Sequence, residues 1–285
     1  MRQNSLFRVS KDDCNFDILI NDFVEFSGIS ENEVKLKIDN SLQDSAKLWK
    51  EIVKTGSEEE LRIFYSKSEY IYEILLAYLH SETFKKKRTC INIINYLNRN
   101  VKGKKVMEFG GGTGQLCLLM YFNSDRDITY VDLPLRVMDF AKWRFKKYHA
   151  SIHVIESRID GCILEKESYD FIVSDAVLEH LMNLEGTVKS ICESLKPNGV
   201  FYLLFDTAYN ESFPMHISAK KDIDKILREN GLIRIEEYVY VKSNNMRNLA
   251  RHNLFRVEHI LRLVMFGIKN PRKAIRFVFK KYKVS

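Results

Sequence analysis

The amino-acid sequence predicts an α/β fold: a doubly wound, mostly parallel sheet with a helical N-terminal cap and a basic helical C-terminal extension. Three observations lead to this prediction. Apolar runs alternate with amphipathic ones between residues 104 and 241, no glycine interrupts residues 57–102, and basic residues dominate after residue 242. We therefore expect a cap over residues 1–100, a sheet domain over 101–242 and an extension over 243–285.

The cap is predicted to be helical from its start signals. Ser30 and Ser57 are each followed three residues later by a glutamate, which is the pattern of a capping box. Apolar residues recur at helical spacing after Ser57. The same stretch contains three tyrosines, which we expect in the core with one of them touching a ligand: Tyr65, Tyr70 and Tyr72.

The sheet domain contains short apolar runs that are typical of buried parallel strands. The predicted strands are residues 105–109, 128–133, 151–157, 169–174 and 199–205, with helical patterns between them. After the run LIRIEEYVYV the sequence becomes basic, so we expect the last strand pair of the sheet to be shortened. Ligands of such sheets bind at the carboxyl ends of the strands, where the strand order reverses.

Four glycines in VMEFGGGTGQ mark that corner. They follow the first predicted strand in the pattern Glu108-x-Gly110-x-Gly112-x-Gly114, and Asp132 ends the second strand twenty residues after Gly112. That spacing suits an acid that binds ribose hydroxyls. A carboxylate beside the glycines suits a ligand with positive charge, which favours S-adenosylmethionine over NAD.

Four motifs together resemble the class I S-adenosylmethionine-dependent methyltransferases, which have a Rossmann-like fold. They are EFGGGTG, YVDLP, YDFIVSDAVLEHL and LKPNGVFYLLF, within residues 104–241. The resemblance implies that the cofactor is S-adenosylmethionine and that its ribose lies at Asp132. It further implies contacts with the methionine end, the adenine and the rest of the cofactor from Glu108, Gly110, Gly111, Gly112, Gly114, Gln115, Leu133, Asp175 and either Arg158 or Asp160.

Two histidines are the candidate catalytic residues. His180 follows the fourth predicted strand and His216 follows the fifth, so both are expected beside the cofactor cleft. A neutral hydroxyl acceptor must lose a proton, and histidine has a suitable pKa for that role. Some methyltransferases of this class bind magnesium through an ExxEH pattern. Ala176 occupies the first position of that pattern here, so we expect no metal ion.

The net charge of +7 is unevenly distributed. Residues 242–285 contain 12 Lys and Arg against one acid, so the remaining chain is net acidic. Three interpretations of the extension stay open: a packed helix pair, helices on an anionic membrane surface, or a nucleic-acid contact. The acidic body disfavours nucleic acid. Five scattered cysteines and the absence of an apolar N-terminal run predict a cytoplasmic protein, peripheral to the inner membrane surface under the second interpretation.

The sequence thus predicts a methyltransferase that acts by in-line displacement on a small-molecule or glycan acceptor, with oxygen as the favoured atom. Three alternatives remain: a lipid-linked or membrane-surface substrate, a binding partner that retains the cofactor without catalysis, and an NAD-dependent oxidoreductase.

Overall fold

The computed structural model describes residues 4–10, 16–67, 69–80, 83, 85–159, 161–208 and 213–243. The predicted C-terminal extension, apart from its first residue, lies outside this range, as does the candidate site residue Asp160. Within the described part of the chain, no helix has both the length and the apolar character needed to cross a bilayer.

Helices form the N-terminal region, as predicted. They are α1 (Asp17–Ser27), α2 (Glu31–Ile52), α3 (Glu58–Lys67), α4 (Ile71–Leu79) and α5 (Lys86–Asn100), and a short 3₁₀ turn at Ser5–Phe7 precedes them. The Ser30 hydroxyl accepts the N–H of Glu33 at the start of α2. At α3 the capping box is reciprocal, because Ser57 accepts the N–H of Glu60 while the Glu60 carboxylate accepts the N–H of Ser57.

A seven-stranded sheet follows in the order β3-β2-β1-β4-β5-β7-β6. The strands are β1 (Lys105–Phe109), β2 (Asp127–Asp132), β3 (His153–Glu156), β4 (Tyr169–Asp175), β5 (Leu195–Leu204), β6 (Leu232–Glu236) and β7 (Val239–Lys242). Pairs among β1 to β5 are parallel, whereas β7 is antiparallel to both β5 and β6. Strand order therefore reverses between β1 and β4, which defines the ligand-binding edge.

The expectation of a shortened final strand pair is wrong. The run LIRIEEYVYV folds into two complete strands, β6 and β7, that pair with each other. A turn at Glu237 and Tyr238 separates them, and Arg234 closes it by donating to the carbonyl oxygens of Glu236 and Glu237. The basic residues that motivated the expectation begin only after this hairpin.

Helices cover both faces of the sheet. The other helices described are α6 (Gln115–Asn123), α7 (Arg136–Lys147), α8 (Leu184–Ser194) and α9 (Ile223–Glu229). Alternate strand residues point to opposite faces of the sheet. On β1, Val106 packs against the face covered by the N-terminal helices, α6 and α7. Its neighbour Met107 packs against the face covered by α8 and α9. This arrangement is the predicted doubly wound α/β fold.

Candidate active site

A cavity of about 400 Å³ opens at the carboxyl edge of the sheet. Its floor comes from the ends of β1, β2, β4 and β5, and its roof comes from α3 and α4. Its lining includes Tyr65, Tyr70, Glu73, Ile74, Tyr78, Lys86, Glu108, Gly110, Gly111, Gly112, Asp132, Leu133, Arg158, Asp175, His180, Asp206, Phe213, Met215 and His216. The structure therefore brings most of the residues predicted from the sequence into one enclosure.

Backbone conformation and close packing explain why positions 110–112 are all glycine. Gly110 and Gly112 have φ values of 75° and 52°, in the left-handed region that glycine adopts most easily. A Cβ on Gly110 would lie 2.3 Å from Val177, and one on Gly111 would lie 2.4 Å from the Tyr130 ring. The glycines are thus required by neighbouring side chains of the protein as well as by any ligand that approaches them.

Gly114 and Gln115 do not line the cavity, although the family resemblance implied that they contact the cofactor. A Cβ on Gly114 would lie 2.6 Å from Phe145. The Gln115 side chain is buried, and its Oε1 accepts a hydrogen bond of 2.6 Å from Arg144. The structure places both residues behind the loop, where they fix the start of α6.

Asp132 is tied to the glycine loop. Its Oδ2 accepts the Gly112 N–H at 2.6 Å, and its Oδ1 accepts the Leu133 N–H at 2.7 Å. Burial raises the pKa of Asp132 to about 6, although these two backbone donors oppose the rise. Leu133 lines the cavity beside it. The acid is therefore held at the end of β2, next to the loop, as the ribose assignment requires.

Glu108 is a buried carboxyl group at the cavity wall. Its side chain is 5% exposed, and its Oε2 has no hydrogen-bond partner among the described residues. Burial raises the pKa of Glu108 to about 8. An unpaired buried carboxylate is costly unless a positive group accompanies it. The orphaned oxygen therefore fits the ammonium group of S-adenosylmethionine and does not fit a pyrophosphate.

The other two predicted cofactor contacts have partners within the protein. Arg158 lines the cavity and forms a backbone bridge with Gly161. Asp175 makes an ion pair of 2.6 Å with Lys86, the first residue of α5. Burial opposes the charge on Lys86, but Asp175 outweighs that effect and the pKa of Lys86 lies above its ordinary value. Asp175 therefore contributes to the cavity as half of an ion pair.

The two candidate catalytic histidines lie against each other. The ring centroids of His180 and His216 are 4.6 Å apart, with the rings nearly perpendicular. Burial, followed by the proximity of His216, lowers the pKa of His180 to about 3, so His180 is neutral. The neighbouring Glu179 is fully buried, and burial raises its pKa to about 8.

Hydrogen bonds between two loops position this pair. The Ser218 N–H donates to the Glu179 carbonyl oxygen, and the Ser218 hydroxyl donates to the Leu181 carbonyl oxygen. The loop after β5 is thereby joined to the 3₁₀ turn Leu178–His180 that follows β4. The structure thus brings together two histidines that are far apart in the sequence.

The roof contributes two of the three tyrosines singled out in the sequence and one residue, Glu73, that was not predicted. Tyr65 and Tyr70 line the cavity, whereas Tyr72 packs in the core. Glu73 lines the cavity beside them, and burial raises its pKa to about 7 although a hydrogen bond from Ser45 opposes the rise. The signal for Glu73 was present in the sequence, since it is the single acid within the apolar run YIYEILLAYL.

Comparisons with known proteins identify what this chain is similar to. A family model described as "Methyltransferase domain" matches residues 81–260. A malonyl-[acyl-carrier protein] O-methyltransferase of Halalkalibacterium halodurans is 30% identical over 154 residues, which cover 50% of this chain and 55% of the relative. The enzyme of the same name from Acetivibrio thermocellus is 27% identical over 135 residues, covering 46% of each chain.

The chain thus spans about half the length of these two relatives. Among solved structures, the CurJ carbon methyltransferase is 13% identical, and the alignment covers 81% of this chain and 72% of that one with a TM-score of 0.49.

Proposed function

We propose that this chain, which belongs to the methyltransferase-domain family and is a class I S-adenosylmethionine-dependent methyltransferase, methylates an oxygen atom of a small molecule or glycan. The observation that carries the proposal is the pair His180 and His216, which lies in the same cavity as the glycine loop and Asp132. An oxygen acceptor needs a group nearby that takes its proton. Burial lowers the pKa of His180 to about 3 and makes it a weak base, so His180 would orient the acceptor or its neighbour, and His216 is the candidate base.

S-adenosylmethionine supplies an electrophilic methyl group whose leaving group departs as a neutral thioether. The residues of this chain then have to hold the two partners in line and keep water away, because orientation provides much of the acceleration in such a displacement. Glu108 and Asp132 would hold the ammonium and ribose ends of the cofactor. Tyr65, Tyr70 and Phe213 offer aromatic walls for the acceptor.

The enclosure of the site supports a small acceptor. The roof formed by α3 and α4 lies close to the glycine loop, since a Cβ on Gly112 would lie 3.3 Å from Ile74. The end of a small molecule or of a glycan matches a pocket of this size. The two relatives described above are O-methyltransferases, which also supports oxygen as the acceptor atom.

A lipid-linked or membrane-surface acceptor remains the second candidate. The observation in its favour is the basic composition of the segment after Lys242, which would be attracted to anionic lipid. A lipid-linked acceptor would still present a small polar group to the cavity, so both candidates share the same chemistry at the oxygen atom.

The test is product analysis with S-adenosylmethionine that carries a deuterated methyl group. The chain is incubated with fractionated small molecules, glycans and lipid extracts, and products are found by their mass shift. Oxygen transfer yields either a methyl ester, which mild alkali removes, or a methyl ether with a characteristic fragmentation. A methyl group bonded to nitrogen or carbon would refute the proposal. The variant Asp132→Ala serves as a control for transfer that depends on the cofactor.

A further inference from the structure

We propose that Glu179, His180 and His216 form a binding site for a divalent transition-metal ion, and that zinc is the ion that this ligand set fits best. The site depends only on the positions of these three side chains. The role of the ion, which is to bind the acceptor oxygen, rests on the function proposed above.

The three side chains converge although they come from two separate loops. Each offers one ligand atom, and these atoms lie within 4.8 Å of one another. Tetrahedral zinc with bonds of about 2.0–2.2 Å places its ligand atoms roughly 3.4 Å apart. Small rotations of the side chains would therefore close the set around an ion without a change in the backbone.

Two atoms of the cluster lack the partners that buried polar groups normally have. The Glu179 Oε2 and the His180 Nδ1 are buried and have no hydrogen-bond partner within the described residues. Leaving such groups unpaired is costly, and each case in a native protein calls for an explanation. A cation bound between them would pair with both atoms at once.

One nitrogen of His216 is already engaged by the backbone. The Nδ1 of His216 lies 2.7 Å from the Ala208 carbonyl oxygen. A ring nitrogen that donates to a carbonyl fixes the tautomer and leaves a lone pair on the other nitrogen. Metal-binding histidines are oriented in this way.

The surroundings also hold the ligands in place. The Phe213 ring stacks on His216 at a centroid distance of 5.2 Å. The Asp206 N–H donates to the Glu179 Oε1 at 3.2 Å, which leaves the other carboxylate oxygen for the ion. Both contacts restrict the side chains before any ion arrives, so little conformational freedom would be lost on binding.

The donor set selects the class of metal. Two imidazoles and one carboxylate suit zinc and similar first-row ions, whereas magnesium prefers oxygen ligands. From the sequence we expect no metal ion, because Ala176 replaces the first acid of the ExxEH pattern. His216 supplies a third ligand from a different loop, and a pattern limited to neighbouring residues does not include it.

Three protein ligands leave one position of a tetrahedral ion open, and two of them, His180 and His216, line the cavity. An acceptor hydroxyl bound at that position would lose its proton more readily, because a Lewis acid stabilises the alkoxide. In the metal-bound protein the imidazoles would hold the ion, and the proton would pass to solvent.

Metal titration of the tag-free, chelator-treated full chain tests the site without any acceptor. We expect one equivalent of Zn²⁺ to bind in calorimetry and in equilibrium dialysis with elemental analysis, and Co²⁺ to give the visible absorption of a four- or five-coordinate ion. Glu179→Gln and His216→Asn should each weaken Zn²⁺ binding by about tenfold or more, which is the scale of losses at metal sites.

Matched controls are available on the exposed surface of the same chain. His153→Asn and Glu185→Gln change the same residue types at exposed positions and should leave Zn²⁺ binding unchanged. Thermal unfolding with and without Zn²⁺ shows whether each variant is folded. Wild type and the two control variants should gain stability from the ion, whereas Glu179→Gln and His216→Asn should gain less at the same Zn²⁺ concentration. Absence of saturable Zn²⁺ binding to wild type, or binding of equal strength to Glu179→Gln, would overturn the proposal. Either result would leave the identification of the methylated atom untouched.

Discussion

The guanidinium group of Arg144 on α7 donates to the Asp22 carboxylate on α1 over 2.8 Å, and neither side chain is exposed to solvent. The same guanidinium donates to the Thr113 carbonyl oxygen and to the Gln115 side chain. One buried cation thus joins the N-terminal helices to the glycine loop, and the cofactor corner depends on the helix that begins at Asp17.

Asp22→Asn should therefore destabilise the protein strongly. Removing one partner of a buried ion pair costs about 3–5 kcal/mol, because the other charge is left uncompensated. Denaturant unfolding monitored by circular dichroism measures this loss. Glu25→Gln is the matched control, since Glu25 forms an exposed ion pair with Lys147 and such pairs contribute about 1 kcal/mol or less. Equal denaturant midpoints for Asp22→Asn and wild type would show that the buried ion pair between Asp22 and Arg144 does not stabilise the protein.

Asp132→Ala should weaken binding of S-adenosylhomocysteine by about 1–3 kcal/mol, the scale of a lost hydrogen bond to a charged group. Part of the loss has an indirect cause, because the Gly112 N–H loses its acceptor as well. Isothermal calorimetry measures the change. Asp127→Ala, at the exposed start of the same strand, is the control. Unchanged affinity in Asp132→Ala would remove Asp132 from the ribose site.

Cofactor binding should depend on pH through Glu108. Burial raises its pKa to about 8; Asp175 and Asp132 add to the rise, while Cys117 and Lys86 oppose it. Below about pH 8 the free protein carries a proton on Glu108, and binding of the cationic cofactor should expel it. Affinity should then rise with pH by up to about tenfold per unit. The affinity should level off near pH 8, where the amino group of the cofactor, with an ordinary pKa of about 7.7–8.0, begins to lose its charge.

Calorimetry in two buffers of different ionisation enthalpy measures the proton released on binding. Glu108→Gln should release about one proton fewer and should lose the dependence on pH between about 7 and 8, where Asp132, with a pKa of about 6, is already ionised. Proton release of the same size in that variant would show that another group is responsible.

The free energy of unfolding of the unliganded protein should fall with rising pH, in contrast to the cofactor affinity. Its folded state keeps a proton on Glu108 that the unfolded chain has already lost, so stability should fall as pH rises from about 4.5 towards 8.

Gly110→Ala should destabilise the loop more than Gly28→Ala destabilises the end of α1. The two glycines have nearly the same φ, 75° and 71°, but a Cβ meets Val177 at Gly110 and meets nothing within 4 Å at Gly28. Backbone strain of about 1–2 kcal/mol is common to both substitutions. Overpacking adds about 1–3 kcal/mol at Gly110 alone, and Val177→Ala should recover part of it. Equal losses in the two variants, measured by thermal unfolding, would mean that the contact with Val177 is relieved at no cost.

Local patterns predicted the parts of the site that lie on single elements. The apolar run before Gly110 and the spacing to Asp132 placed both residues at the sheet edge, because strand alternation and βα connectivity are encoded over short stretches. The hairpin between β6 and β7 was not predicted. Its turn at Glu237 and Tyr238 contains no glycine, proline or asparagine, and such turns give little sequence signal.

Long-range contacts account for what the sequence did not reveal. Lys86 belongs to the run KKKR, which is typical of a solvated helix start, yet it pairs with Asp175 inside the cavity. Gln115 follows the glycines directly, but Arg144 draws it away from the cavity. Neither contact can be inferred from spacing, because each depends on how distant elements pack.

The roof of the cavity faces the glycine loop and comes from α3, which carries Tyr65, and from α4, which carries Glu73 and follows Tyr70. The segment shared with the methyltransferase-domain family begins only at residue 81. The roof of the cavity thus lies outside the shared segment, whereas the glycine loop, Asp132 and the two histidines lie within it. Exchanging the residues before position 81 between such enzymes should therefore replace the roof while leaving the glycine loop and the histidine pair in place.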